Sequence, residues 1–144
     1  LKSDSAPLNG LVESLLEASP RVHAMRDATR GGLGGILAEI AARSGFEMTM
    51  EEKDIPLRDE VRGICEIMGI EAIFLANAGK LVLFCPEEDA PQVLEAMKAH
   101  PLGRDGAVIG RVLEHGPGRL ILNNAFGGSR EIDLPTGELV PRIC

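Results

Sequence analysis

The 144-residue chain contains no tryptophan, no tyrosine and only four phenylalanines. It therefore lacks the aromatic platforms on which single-stranded bases stack. Positive charge is scarce as well: 15 Lys and Arg against 22 Asp and Glu give a formal net charge of -7. A phosphate backbone needs clustered cations, so no nucleic-acid partner is expected. No apolar run approaches the roughly 20 residues that cross a bilayer, so no membrane span is expected either. The opening Lys2-Ser3-Asp4-Ser5 is too polar for a signal peptide. Three cysteines, Cys65, Cys85 and Cys144, are too few and too scattered for a disulfide framework, which predicts a reduced, cytoplasmic protein. With no C-x-x-C and with His23, His100 and His115 isolated, no metal site is expected.

What is present is an ordinary globular composition, 44% apolar and 26% charged. The length suits one domain, which buries about two-thirds of its unfolded surface without staples. A start at Leu1 rather than Met points to a fragment or a processed product. Leu8, Leu11, Val12, Leu15 and Leu16 recur at helical spacing up to Pro20. An extended stretch over Val22 to Arg26 follows. Leu33, Ile36, Leu37, Ile40 and Ala41 then predict a second helix, stopped by Gly45. Phe46, Met48 and Met50 alternate with polar residues as in a half-buried strand. After Pro56, the residues Leu57, Val61, Ile64, Cys65 and Met68 mark the apolar side of a third helix. Leu81 to Cys85 reads as a buried strand. A fourth helix turns Val93, Leu94 and Met97 inward, with Glu87, Glu88 and Asp89 at its positive end. Strands over Ala107 to Glu114, Arg119 to Leu122 and Arg130 to Leu134 close the domain. The order predicts an α+β fold of three layers, with one mixed β-sheet and flanking helices. Residues 1–134 form the domain, and the proline- and glycine-bearing residues 135–144 an extended tail.

Three stretches are candidates for chemistry. Asp27-Ala28-Thr29-Arg30-Gly31-Gly32 lies between a strand and an amphipathic helix, where unpaired N–H groups and the helix dipole attract anions. Gly31 and Gly32 allow close backbone approach, Arg26 and Arg30 add positive charge, and Thr29 can donate to a phosphate oxygen. Read locally, the simpler account is that Asp27 or Thr29 caps the helix and the glycines relieve packing. The second stretch, Leu75 to Lys80, is a tight turn into a strand in which Asn77 and Lys80 are the polar groups. The third is the end, Pro141-Arg142-Ile143-Cys144, where Arg142 favours a thiolate on Cys144 and the terminal carboxylate opposes it. Cys65 and Cys85 occupy apolar positions expected in the core. The phosphate-loop motif fails at Phe74 and Leu81, and the dinucleotide fingerprint fails at Leu37.

Met25-Arg26-Asp27-Ala28-Thr29-Arg30-Gly31-Gly32, the Leu75 to Lys80 segment, His100-Pro101-Leu102-Gly103 and the terminal Pro-Arg-Ile-Cys together resemble the HypE family of hydrogenase maturation factors. The resemblance covers the chain but only the C-terminal half of the family's protein, an AIR-synthase-related, PurM-like domain. It implies that a HypF-like carbamoyltransferase places a carboxamide on Cys144. An ATP-dependent dehydration would then give a thiocyanate, whose cyano group passes to iron on a HypC–HypD scaffold for a [NiFe]-hydrogenase. It also implies ATP and Mg²⁺ bound mainly by the absent half, with Asp27, Thr29, Arg30, Gly31 and Gly32 near the phosphates. Asn77, Ala78 and Lys80 would form a loop near the reacting tail, and the full-length protein a homodimer. Where the family usually has Glu, this sequence has Ala78, so a carboxylate base is missing there. Two other readings go with the same residues: a non-catalytic carrier that presents Cys144, or a domain of the AIR synthase or selenophosphate synthetase type.

Overall fold

The computed structural model describes residue 3 and residues 5–133. The expected domain end at 134 and the tail 135–144, Cys144 included, lie outside the described residues.

Among the described residues, four α-helices and six strands form in the order α1 (Asn9–Ala18), β1 (Ala24–Asp27), α2 (Gly32–Ser44), β2 (Phe46–Glu51), α3 (Asp59–Met68), β3 (Leu81–Phe84), α4 (Ala90–Ala99), β4 (Gly110–His115), β5 (Leu120–Asn123) and β6 (Ser129–Ile132). Single 3-10 turns occupy Glu52–Asp54, Ala72–Phe74, Glu87–Asp89 and Pro101–Gly103. The strands do not make the one sheet that the sequence predicts. A four-stranded mixed sheet runs β4-β2-β5-β6, with β2 and β5 parallel and the other neighbours antiparallel. β1 and β3 pair apart from it as an antiparallel ribbon, from Ala24 opposite Phe84 to Asp27 opposite Leu81. The fold class is α+β with flanking helices, as the alternation of periods requires.

Two cores form, and the ribbon stands between them. In the larger, Ile36, Leu37, Ala38 and Ala41 of α2 meet Met48, Met50, Leu120, Leu122 and Ile132 of the sheet. Burying one such side chain stabilises by about 1.5–3 kcal/mol. In the smaller, Leu11 and Leu15 of α1 meet Val93 of α4. Because alternate strand residues face opposite ways, Val82 and Phe84 pack on the larger core while Leu81 and Leu83 pack on the smaller. β3 is thus half-buried rather than fully buried; a two-stranded ribbon leaves its edges open. Cys85 is likewise half-buried, and burial pushes its thiol up.

α1 and α4 are joined by charge as well as by packing. Ser19, fully buried, donates to Asp89 Oδ2 at 2.6 Å, and Arg21 Nε donates to the same oxygen at 3.0 Å. A second Arg21 nitrogen bonds Asp89 Oδ1, and a third reaches Glu88 at 2.9 Å. Arg21 first and Ser19 second hold the buried Asp89 carboxyl below its ordinary value. α3 carries the expected apolar side, much of it uncovered among the described residues. Only Cys65 of its apolar side is buried, while Ile64 and Met68 are exposed. A hydrophobic stripe announces a surface to be covered but not what covers it.

Candidate functional site

The strand expected over Val22 to Arg26 runs one residue further, so Asp27 ends β1 and begins the turn into α2. Asp27 is exposed and Thr29 half-buried. Thr29 Oγ1 donates to Asp27 Oδ1 at 3.1 Å, so the two side chains bond each other instead of capping the helix. No side chain among the described residues caps α2. Its N-terminal N–H groups and the positive end of its dipole are left to what lies outside.

Gly31 and Gly32 both take the left-handed conformation, at φ of 69° and 63°. At Gly32 the reason is close approach as well as backbone angle. A Cβ there would stand 2.5 Å from the Ile73 carbonyl oxygen and 2.6 Å from that of Leu75. The α2 terminus is therefore pressed directly onto the chain that leads into the second candidate loop.

That contact brings two of the three sequence candidates together. The Asn77 backbone N–H donates to the Ala28 carbonyl at 2.9 Å, and the Ala28 N–H donates to the Lys80 carbonyl at 3.3 Å. Asn77 Nδ2 donates to the Leu75 carbonyl at 2.5 Å, and Lys80 Nζ donates to Asn77 Oδ1 at 2.7 Å. Asn77 thus folds its own turn and fixes the direction of Lys80 in one arrangement. Ala78 is half-buried beside it, and Lys80 and Arg30 are exposed. The joined loops carry the exposed Lys80 and Arg30, a helix start without a side-chain cap and the Asp27 carboxylate, whereas Arg26 falls on the opposite face of β1 from Asp27. Such a set suits a phosphate group, with helix N–H groups and cations as donors. For a divalent cation it supplies only Asp27. No group of three or more His, Cys, Asp or Glu that could hold a metal occurs among the described residues. The third candidate, Cys144, lies outside the described residues, so its distance from these loops is not part of the geometry. The sequence signal for the meeting of these two loops is the glycine pair, since Gly32 packs against the Ile73–Leu75 backbone.

Residues 3–123 match the AIR synthase related protein, C-terminal domain. The chain is 47% identical over 142 residues to the carbamoyl dehydratase HypE of Azotobacter vinelandii, covering 99% of this chain and 42% of that protein. It superposes on the crystal structure of the hydrogenase maturation protein HypE in complex with ATP with a TM-score of 0.89 at 38% identity, covering 99% of this chain and 44% of that one. In the crystal structure of a HypE–HypF complex it matches a chain with a TM-score of 0.87 at 38% identity, over 94% of this chain and 44% of that one. The chain thus spans less than half the length of these relatives. No described helix is long and apolar enough to cross a membrane. With its fold, its two joined loops and most of its length accounted for by one family, the chain belongs to the AIR synthase related proteins as their C-terminal domain.

Proposed function

We propose that this chain is the C-terminal domain of a carbamoyl dehydratase that works in [NiFe]-hydrogenase maturation. In a chain of the relatives' full length it would take part in the ATP-dependent dehydration of a carbamoyl group on Cys144 to a thiocyanate. The observation that carries this is the joining of the Asp27–Gly32 and Leu75–Lys80 loops by backbone hydrogen bonds beside a helix start without a side-chain cap. It is supported by the likeness to HypE proteins over 99% of the chain.

Within that reading, Gly31 and Gly32 let backbone N–H groups approach the phosphates of a nucleotide, and Thr29 and Arg30 add donors there. Asp27 is the residue here that would hold Mg²⁺, with further ligands from the part of the relatives' length that this chain does not span. Bound ATP would supply the phosphoryl group that makes the carboxamide oxygen a leaving group. Lys80, held by Asn77, places a positive charge beside the loop that would receive the tail. Ala78 offers no carboxylate to take the amide protons, so by itself the chain works as an acceptor and carrier. A HypF-like carbamoyltransferase, a HypC–HypD scaffold and a second copy in a homodimer are the proposed partners, in the cytoplasm.

The test is to incubate the chain with a HypF-like carbamoyltransferase, its carbamoyl donor and ATP, and to map the product by mass spectrometry. The carbamoyl group is expected on Cys144 and absent from a Cys144→Ala variant. Carbamoylation of Cys65 or Cys85, or of the Ala variant, rejects the carrier role. In a chain completed to the relatives' length, Ala78→Glu should raise dehydration by about 10²-fold or more, the ordinary contribution of a general base. Equal rates would remove the base from the mechanism.

A further inference from the structure

Of the four asparagines in the chain, three have their side chains tied into hydrogen bonds. Asn77 serves Leu75 and Lys80, Asn123 joins Glu51 to Ser129, and Asn124 Oδ1 accepts from the N–H groups of Phe126 and Gly128. Asn9 is exposed at the start of α1, and its side-chain amide has no partner among the described residues. It is also the one asparagine that is followed by glycine. Without a Cβ, Gly10 leaves its own nitrogen open to the side-chain carbonyl carbon of Asn9.

Helical backbone ordinarily keeps those two atoms apart, because the hydrogen bonds of adjacent turns fix each residue's ψ angle. Asn9 escapes most of that hold. It is the first residue of α1, where the N–H groups have no intrahelical partner, and no side chain among the described residues caps them. Turning about the Asn9 Cα–C bond breaks a single helical hydrogen bond, from the Val12 N–H to the Leu8 carbonyl at 2.9 Å. The half-buried Leu8 moves, while the buried Leu11 and Leu15 keep their places in the smaller core.

We propose that Asn9–Gly10 is a site of spontaneous deamidation through a cyclic imide. The Gly10 nitrogen bonds Asn9 Cγ, and its proton leaves with the side-chain nitrogen as ammonia. Water then opens the ring at either carbonyl, giving aspartate or isoaspartate. The aspartate form places a carboxylate at the positive end of α1, where it is favoured. The isoaspartate form adds one carbon to the main chain, which shifts Leu8 relative to Gly10 and to His100 beside it. The site is independent of the chemistry assigned to the Asp27 and Asn77 loops.

The test is to age the folded chain at mildly alkaline pH in water enriched in heavy oxygen, followed by peptide mass spectrometry. The peptide that holds Asn9 should exchange its amide for a labelled acid faster than the peptides that hold the other three asparagines. The expected ratio is about tenfold or more, which one hydrogen bond of about 1.4 kcal/mol imposes on a rate. In denaturant the other three should accelerate, whereas Asn9 should change by less than about tenfold. A Cβ on Gly10 would meet only His100, at 3.5 Å, so a Gly10→Ala variant keeps the fold. Its methyl crowds the attacking nitrogen, and conversion should slow about tenfold. The proposal is overturned if folded Asn9 converts no faster than the other three, if denaturant speeds it as much as it speeds them, or if Gly10→Ala converts at the same rate.

Discussion

At the level of single residues, the two glycines before α2 are not equivalent. Both have positive φ, which costs a non-glycine residue about 1 kcal/mol or more. At Gly31 the nearest atom to an added Cβ is 3.4 Å away, so the backbone cost is the main one. At Gly32 two carbonyl oxygens stand within 2.6 Å, and the helix terminus would have to lift off the Ile73–Leu75 chain. Gly32→Ala is therefore expected to destabilise by about 3 kcal/mol or more, and Gly31→Ala by about 1 kcal/mol. Urea titration of the two variants measures the difference; equal losses would mean that the close approach is not what requires glycine at 32. The glycines are plain in the sequence, but only the fold separates one that serves an angle from one that serves an approach.

Among the elements, helices α1 and α2 and strand β2 were legible because each repeats its apolar residues over several turns or pleats against a single core. The sequence predicts β1 to begin two residues before it does and to end one residue short, and β3 to be a buried strand, since short apolar runs carry no record of how many neighbours flank them. α3 is legible as an amphipathic helix, but its apolar stripe does not say what covers it. The Asp27 and Asn77 loops were legible as separate motifs. Their joining was not, because it is made by backbone hydrogen bonds that any residue could supply. The clasp between α1 and α4 was also invisible, as nothing local ties Ser19 and Arg21 to Asp89. That clasp has a pH signature. Asp89 is held below its ordinary value of 3.8, chiefly by Arg21. Its stabilising contribution is complete above the unfolded value and is lost as pH falls from there through the lower native value. Stability measured between about pH 2 and 5 should fall more steeply for the natural chain than for Asp89→Asn. Parallel curves would show that the clasp does not titrate.

At the scale of the molecule, the joined loops bring together Arg30, Lys80 and a single carboxylate, Asp27, too few groups to hold a triphosphate with its cation. The isolated chain is expected to show no micromolar affinity for ATP and no hydrolysis. Completing the chain to the relatives' length should restore binding. Isothermal calorimetry on both forms checks this. Micromolar binding by the 144-residue chain would place the nucleotide site within it.

The β1–β3 ribbon offers one face to each core, with Leu81 and Leu83 on one side and Val82 and Phe84 on the other. Neither core can melt without stripping the lining from its neighbour, so the ribbon couples them into a single cooperative unit. Loss of far-ultraviolet circular dichroism on heating should therefore be one transition. Native-state amide exchange should give the slowest protons of α1, α4 and β5 a common opening free energy. Leu83→Ala, which touches only the smaller core, should lower that value for β5 as much as for α1. A variant that loosens α1 and α4 while leaving β5 protected would mean that the two cores open separately.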